Sequence, residues 1–178
     1  MNKMYKLFTS LLFGILLSQS SMAKNFLSLD EAVHASFPSG TKMEKHSLIL
    51  SKKQFSQIQK RAKAKVDTKV YRYYTLTNKG KTIGYAILEF RKVRTKKATV
   101  LYGFDMKGTL KFTEIMAFGE APEWVPSKTW MSQLQNKGKS AALHIGKDIP
   151  TISGATLSAR CVSEGARVAR AIYETVLK

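Results

Sequence analysis

VYRYYTLTNKGKTIGYAILEFRKVRTKKATVLYGFDMKGTLKFTEIMAF, residues 70–118, is dense in the β-branched and aromatic side chains that suit a pleated surface. Its periodic stretches predict strands at Val70–Leu76, Thr82–Phe90, Thr99–Phe104 and Leu110–Phe118. Two of the breaks between them, Asn78-Lys79-Gly80-Lys81 and Asp105-Met106-Lys107-Gly108, hold residues that tolerate left-handed backbone, so the strands they separate should pair as antiparallel hairpins. The expected result is a four-stranded meander. A sheet of that size has to cover a face, and the helical patterns on either side of it are the natural cover. The predicted fold is therefore α+β, an antiparallel β-meander covered by helices.

Upstream, Ser28-Leu29-Asp30-Glu31 reads as a capping box opening a short helix that stops before Pro38-Ser39-Gly40. Lys42–Leu50 ends in an apolar run and is either an edge strand or an extended connection. Ser51-Lys52-Lys53-Gln54 repeats the capping pattern, and Phe55, Ile58 and Ala62 then share one face of a helix predicted from Lys52 to Lys65. The other face is Lys, Gln and Arg. It reads either as a solvated surface or as a patch for an acidic partner or an anionic membrane.

At the start of the chain, Lys3 and Lys6 precede an apolar run from Leu7 to Leu17, and Ser21-Met22-Ala23 has the small-residue pattern of a secretory cleavage site. The expectation is a signal peptide over residues 1–23, cleaved near Ala23, and a periplasmic or otherwise extracytoplasmic domain over 24–178. Within that domain, 24–69 is a helical section and 70–178 holds the sheet and the residues discussed next. A retained short anchor is the competing reading.

The chain has 30 Lys and Arg against 12 Asp and Glu, a net charge of +18, of which cleavage removes only Lys3 and Lys6. Nucleic acid is the common partner of such a charge, but export excludes it. Anionic envelope, acidic redox proteins and phosphate-bearing cofactors remain, with general solubility as the plainest explanation. Cys161 is the only cysteine, so no intrachain disulfide is available, and His34, His46 and His144 lack metal-ligand spacing.

Downstream of the strands, Trp124 lies between Pro122 and Pro126, Ser127–Leu134 reads as a short helix with Trp130 and Leu134 on one face, and Leu143–Pro150 reads as extended. Then comes Thr151-Ile152-Ser153-Gly154-Ala155-Thr156-Leu157-Ser158, followed by Cys161, Gly165, Val168, Ile172 and Val176 at helical spacing from Leu157. This is a loop feeding a helix. Ser153 is the expected N-cap, Gly154 and Ala155 leave space, and Thr156 presents a hydroxyl in the first turn, where unpaired amides and the helix dipole favour a phosphate. Lys147 and Arg160 add positive charge nearby in sequence.

Ser153-Gly154-Ala155-Thr156-Leu157-Ser158 resembles the flavinylation motif of FMN-binding domains, the family that includes the covalent-flavin subunits of sodium-pumping NADH:quinone reductase and Rnf complexes. The likeness extends over about residues 80–177 and includes Glu120-Ala121-Pro122-Glu123 followed by Trp130. One position departs, since Pro150 stands where family members often have Asp, and Asp148 lies two residues earlier. The resemblance implies FMN held covalently through its phosphate on Thr156, with Ser158 as a second hydroxyl in reach. It also implies an exported flavin transferase that installs the group from FAD. The partners then expected are quinone- or cytochrome-linked redox proteins of the membrane or periplasm, with peripheral contact of the basic surface with an anionic membrane. A tether has chemical sense outside the cytoplasm, where dissociated FMN is not readily replaced. Trp124 and Trp130 either stack on the flavin or pack in the core.

The chain thus reads as an extracytoplasmic electron carrier rather than a stand-alone enzyme. A flavin-dependent reductase of a small acceptor is one alternative, although no acid-base cluster accompanies Thr156. A flavin-free protein that binds the envelope or a partner through the basic helix is another.

Overall fold

A computed structural model describes residues 26–178; the expected signal peptide lies outside the described residues. The hairpin turns form as their residues dictate. Lys79 and Gly80 both adopt positive φ, 49° and 77°, and Asn78 pairs with Lys81 across a two-residue turn. At the other turn, the Asp105 carboxylate accepts hydrogen bonds from the amides of Lys107 and Thr109, each at 2.9 Å.

The meander has five strands rather than four, in the order β1-β2-β3-β4-β5 with every neighbour antiparallel. The strands are β1 (Lys42–Ile49), β2 (Val70–Asn78), β3 (Lys81–Lys92), β4 (Lys97–Asp105) and β5 (Leu110–Phe118). Lys42–Ile49, which the sequence left open, pairs with β2 as an edge strand. Its alternation is weak because an edge strand is mostly exposed.

Among the described residues four α-helices accompany the sheet: α1 (Leu29–His34), α2 (Lys52–Ala62), α3 (Lys128–Met131) and α4 (Thr156–Ile172). Both predicted capping boxes form, Ser28 with Glu31 and Ser51 with Gln54. Helix α2 stops at Ala62 rather than Lys65, because Lys63 turns left-handed at φ 48°. Helix α3 is a single turn that continues as a 3-10 turn over Ser132–Leu134.

The two faces of the sheet are covered unequally. On one, Ala32 and Val33 of α1 pack with Phe37 over Tyr74, Leu76, Ala86, Leu88 and Phe112. The larger core lies on the other face, where Ile58 and Ala62 of α2 and Cys161, Val162, Ala166 and Ala169 of α4 meet Ile87, Val100, Tyr102 and Phe104. The apolar stripe of α2 is thus committed to the core, and what it shows to solvent is Lys, Gln and Arg. Helix α4 lies close on the sheet: Tyr102 donates to the Val162 carbonyl at 2.8 Å, and a side chain at Gly165 would collide with the Tyr102 hydroxyl. Cys161 is buried, and burial pushes its thiol pKa up to about 12, so it packs as an inert small side chain.

Residues 143–150 are not the extended segment expected from the sequence. They form a compact turn in which Asp148 accepts from the amides of Leu143 at 2.9 Å and His144 at 2.8 Å. Those bonds, the largest of the opposing effects after burial, hold the carboxylate below its ordinary pKa.

Candidate functional site

Helix α4 begins at Thr156, with Ala155 as its N-cap and no side-chain hydrogen bond to the first turn. This corrects the expected role of Ser153, which lies two residues too early to reach those amides. Gly154 between them takes φ 79°, a conformation open to glycine at little cost, and a Cβ there would meet nothing within 4 Å. The first turn of this 17-residue helix therefore has no capping side chain, and the space beside Gly154 just before it is open.

Thr156 is exposed, and its hydroxyl donates to the Ile152 carbonyl at 3.1 Å, which fixes its rotamer. Ser158 differs sharply, being only 2% exposed. Leu157 was expected on the buried face but is 44% exposed and lines the cleft that adjoins Thr156. A cleft of about 260 Å³ adjoins this junction, lined by Val93, Arg94 and Trp124 together with residues 154–158.

The far wall of the cleft is set by a residue that the motif does not include. The Glu120 carboxylate accepts hydrogen bonds from the amides of Arg94, Thr95 and Lys96 at 3.0, 2.6 and 2.7 Å, gathering the β3–β4 connection around itself. The Lys96 amide does most to lower its pKa, to about 2, with those of Thr95 and Arg94 assisting against partial desolvation. Held in this way, Arg94 lies over the Trp124 ring, its guanidinium carbon 5.7 Å from the centroid.

Residues 95–171 match the family model described as the FMN-binding domain. The chain carries an FMN-binding domain. No match was found among curated proteins or among solved structures. The match spans β4, β5 and α4, and so contains Glu120, Trp124 and Thr156.

The residues of this FMN-binding domain suit its cofactor on structural grounds. Uncapped amides and the positive end of α4 suit a phosphate; the open space at Gly154 admits it; Val93, Trp124 and Leu157 present the apolar and aromatic surface that a flavin ring needs. Of the other residues singled out by sequence, Trp130 is a core residue, 8% exposed, whose indole nitrogen donates to the Pro150 carbonyl at 2.9 Å. It supports the loop that leads to Thr156 and does not line the cleft. Arg160 is exposed on the second turn of α4, outside the lining, and Lys147 belongs to a different cleft.

Beneath the site, the structure assembles an ion cluster that sequence reasoning missed. Arg91 meets Glu89 at 3.3 Å and Glu164 of α4 at 2.8 Å, and donates to the Lys65 carbonyl at 2.8 Å. Burial raises the Glu89 pKa to about 7 in spite of Arg91. The cluster ties the end of β3, which leads into Val93 and Arg94, to α4. Its signal in the sequence was strand parity, since Glu89 and Arg91 alternate with Leu88 and Phe90 and share the face of Ile87.

Proposed function

We propose that this chain is an exported electron carrier whose FMN is joined to Thr156 by a phosphoester. The reading is carried by the opening of α4, where an exposed threonine hydroxyl stands beside amides that no side chain caps, at the edge of a cleft with an aromatic wall. Bound there, FMN supplies reversible electron uptake. The protein's own residues would hold and shield it: the α4 amides would serve the phosphate, Gly154 would leave room beside it, and Val93, Trp124 and Leu157 would give the ring an apolar surface.

Attachment requires an exported flavin transferase as partner. Thr156 Oγ1 would bond to the flavin-side phosphorus of FAD as the anhydride bond to the second phosphorus breaks, AMP leaves, and the hydroxyl proton passes to a base. Among the described residues no carboxylate or imidazole lines the cleft, so that base belongs to the transferase. The basic surface favours acidic partners, quinone- or cytochrome-linked, and peripheral contact with an anionic membrane.

The test is the intact mass of protein exported together with an active transferase, for wild type, Thr156→Ala and Ser158→Ala. The expected result is an increment of FMN less one water that disappears only in Thr156→Ala. Disappearance only in Ser158→Ala would move the attachment by two residues. No increment in any sample, with the transferase active on another target, would overturn the covalent reading. Turnover of the loaded protein with a panel of small acceptors separates a carrier from a reductase.

A further inference from the structure

A second cleft, of about 290 Å³, opens between the end of α2, residues 139–147 and the C-terminal half of α4. Arg61, Lys63, Lys139, Lys147, Arg167 and Arg170 all line it, against a single carboxylate, Glu174. That carboxylate is already held by Arg61 at 2.9 Å. Arg167 reaches only Glu164, at 4.0 Å, and Glu164 is shared with Arg91 at 2.8 Å. The cleft therefore gathers five cations beyond the Arg61–Glu174 pair.

A surface that is basic only for solubility keeps its cations in water, whereas two of these are withdrawn from it. Arg170 is 8% exposed, and the Arg167 side chain 12%. Arg170 donates to the carbonyls of Ala141 at 2.6 Å and Lys137 at 3.3 Å, yet its Nε and that of Arg167 are buried without a partner. Buried donors left unmatched are uncommon, and these two belong to arginines that line the cleft. Burial lowers both guanidinium pKa values from the ordinary one, the direction taken by cations short of counter-charge. At the rim, Lys178 sits so near Lys139 that its own pKa is lowered by it.

We propose that this cleft is a second anion site, separate from the flavin site, taking a small and multiply charged phosphate compound such as a phosphate monoester or a diphosphate. The volume lies at the small end of ligand pockets, which suits a metabolite-sized group rather than a protein segment. Arginine forks beside lysine point charges are the donor set that phosphate oxygens accept from best. Thr156 and Arg170 stand at opposite ends of α4, about 21 Å apart along its axis at the helical rise. The phosphate of an FMN on Thr156 is therefore not the one this cleft would hold.

The experiment is calorimetric titration of the protein with inorganic pyrophosphate, with citrate as a non-phosphate polyanion. Four proteins are compared: wild type, the cleft double variant Lys63→Gln/Lys139→Gln, a control double variant Lys52→Gln/Lys53→Gln that removes the same charge from the far end of α2, and Thr156→Ala. All four cleft and control lysines are exposed, so folding is preserved and is checked by melting. The expected result is binding of pyrophosphate that weakens about tenfold in the cleft variant, roughly 1.4 kcal/mol, and less than about twofold in the control and in Thr156→Ala. Equal weakening in both double variants would reduce the effect to net charge and overturn the proposal, as would the absence of pyrophosphate binding or equal affinity for citrate. Vesicles of phosphatidic acid, against phosphatidylcholine, identify the source. Capture that pyrophosphate displaces and the cleft variant loses assigns the phosphate to a lipid headgroup, and pyrophosphate binding without capture assigns it to a soluble compound.

Discussion

Helix α2 enters through Ser51, whose hydroxyl accepts from the Gln54 amide at 3.2 Å while the Gln54 side chain accepts from the Ser51 amide at 2.9 Å. Helix α4 enters through Ala155, which has no hydroxyl, and its first turn has no side-chain cap. Both starts are legible in the sequence as small polar stretches before an apolar period. The difference between them is that one closes its amides internally and the other leaves them without a side-chain partner. Capping contributes about 1 kcal/mol to a helix, so an uncapped start on the longest helix of the described residues is a local sacrifice of stability at the point where the FMN-binding domain has its motif.

Giving α4 a cap should break the contrast most severely. Ala155→Asp places a carboxylate where, on the proposed function, the phosphate would approach, and the rate of flavin loading should fall about tenfold or more, corresponding to roughly 1.4 kcal/mol in the barrier. Melting of the unloaded variant checks that the fold is kept, because Ala155 is only 8% exposed. Unchanged loading would show that those amides do not meet the phosphate.

The next effect is on stability alone. Ser51→Ala should cost about 1 kcal/mol in denaturant unfolding through loss of the α2 capping box. Ser153→Ala should cost no more than about 0.5 kcal/mol, as expected of an exposed residue that caps nothing. Similar losses in the two would mean that Ser153 contributes to the α4 start after all.

The smallest effect concerns the wall opposite α4, where a carboxylate does for the β3–β4 connection what Ser51 and Gln54 do for α2. The folded-state pKa of Glu120, about 2, is below its ordinary value of 4.5. Its contribution is therefore complete above pH 4.5 and is lost as the pH falls toward 2. Between those limits the melting temperature of the wild type should decline more steeply than that of Glu120→Gln, and parallel curves would remove Glu120 as the clamp of that connection.

How far each feature could be read from the sequence depended on how local its cause was. Turns such as Lys79-Gly80 and boxes such as Ser28–Glu31 are made by neighbours in the chain, and they form where expected. Edge strand β1 was ambiguous because its partner, β2, supplies the pairing while its own side chains alternate weakly. Asp148 folding residues 143–150 into a turn depended on a carboxylate reaching back to two amides, which the expectation of an extended segment did not include. Among the site residues, Thr156 and Gly154 could be singled out from the motif, but Val93 and Arg94 could not, since they reach the cleft only through Glu120 and the hairpin it holds.

The sequence by itself determined the alternation of strands and turns, the capped starts of α1 and α2, the amphipathic period of α4 and the motif that ends at Thr156 and Ser158, all of which arise from backbone preference and side-chain spacing within a few residues. Only the tertiary structure decided that Trp124 faces the cleft while Trp130 is buried, and that Lys147 joins Arg167 and Arg170 rather than Thr156. Those outcomes depend on which distant segments pack together, and packing selects among positions that local preference leaves equivalent.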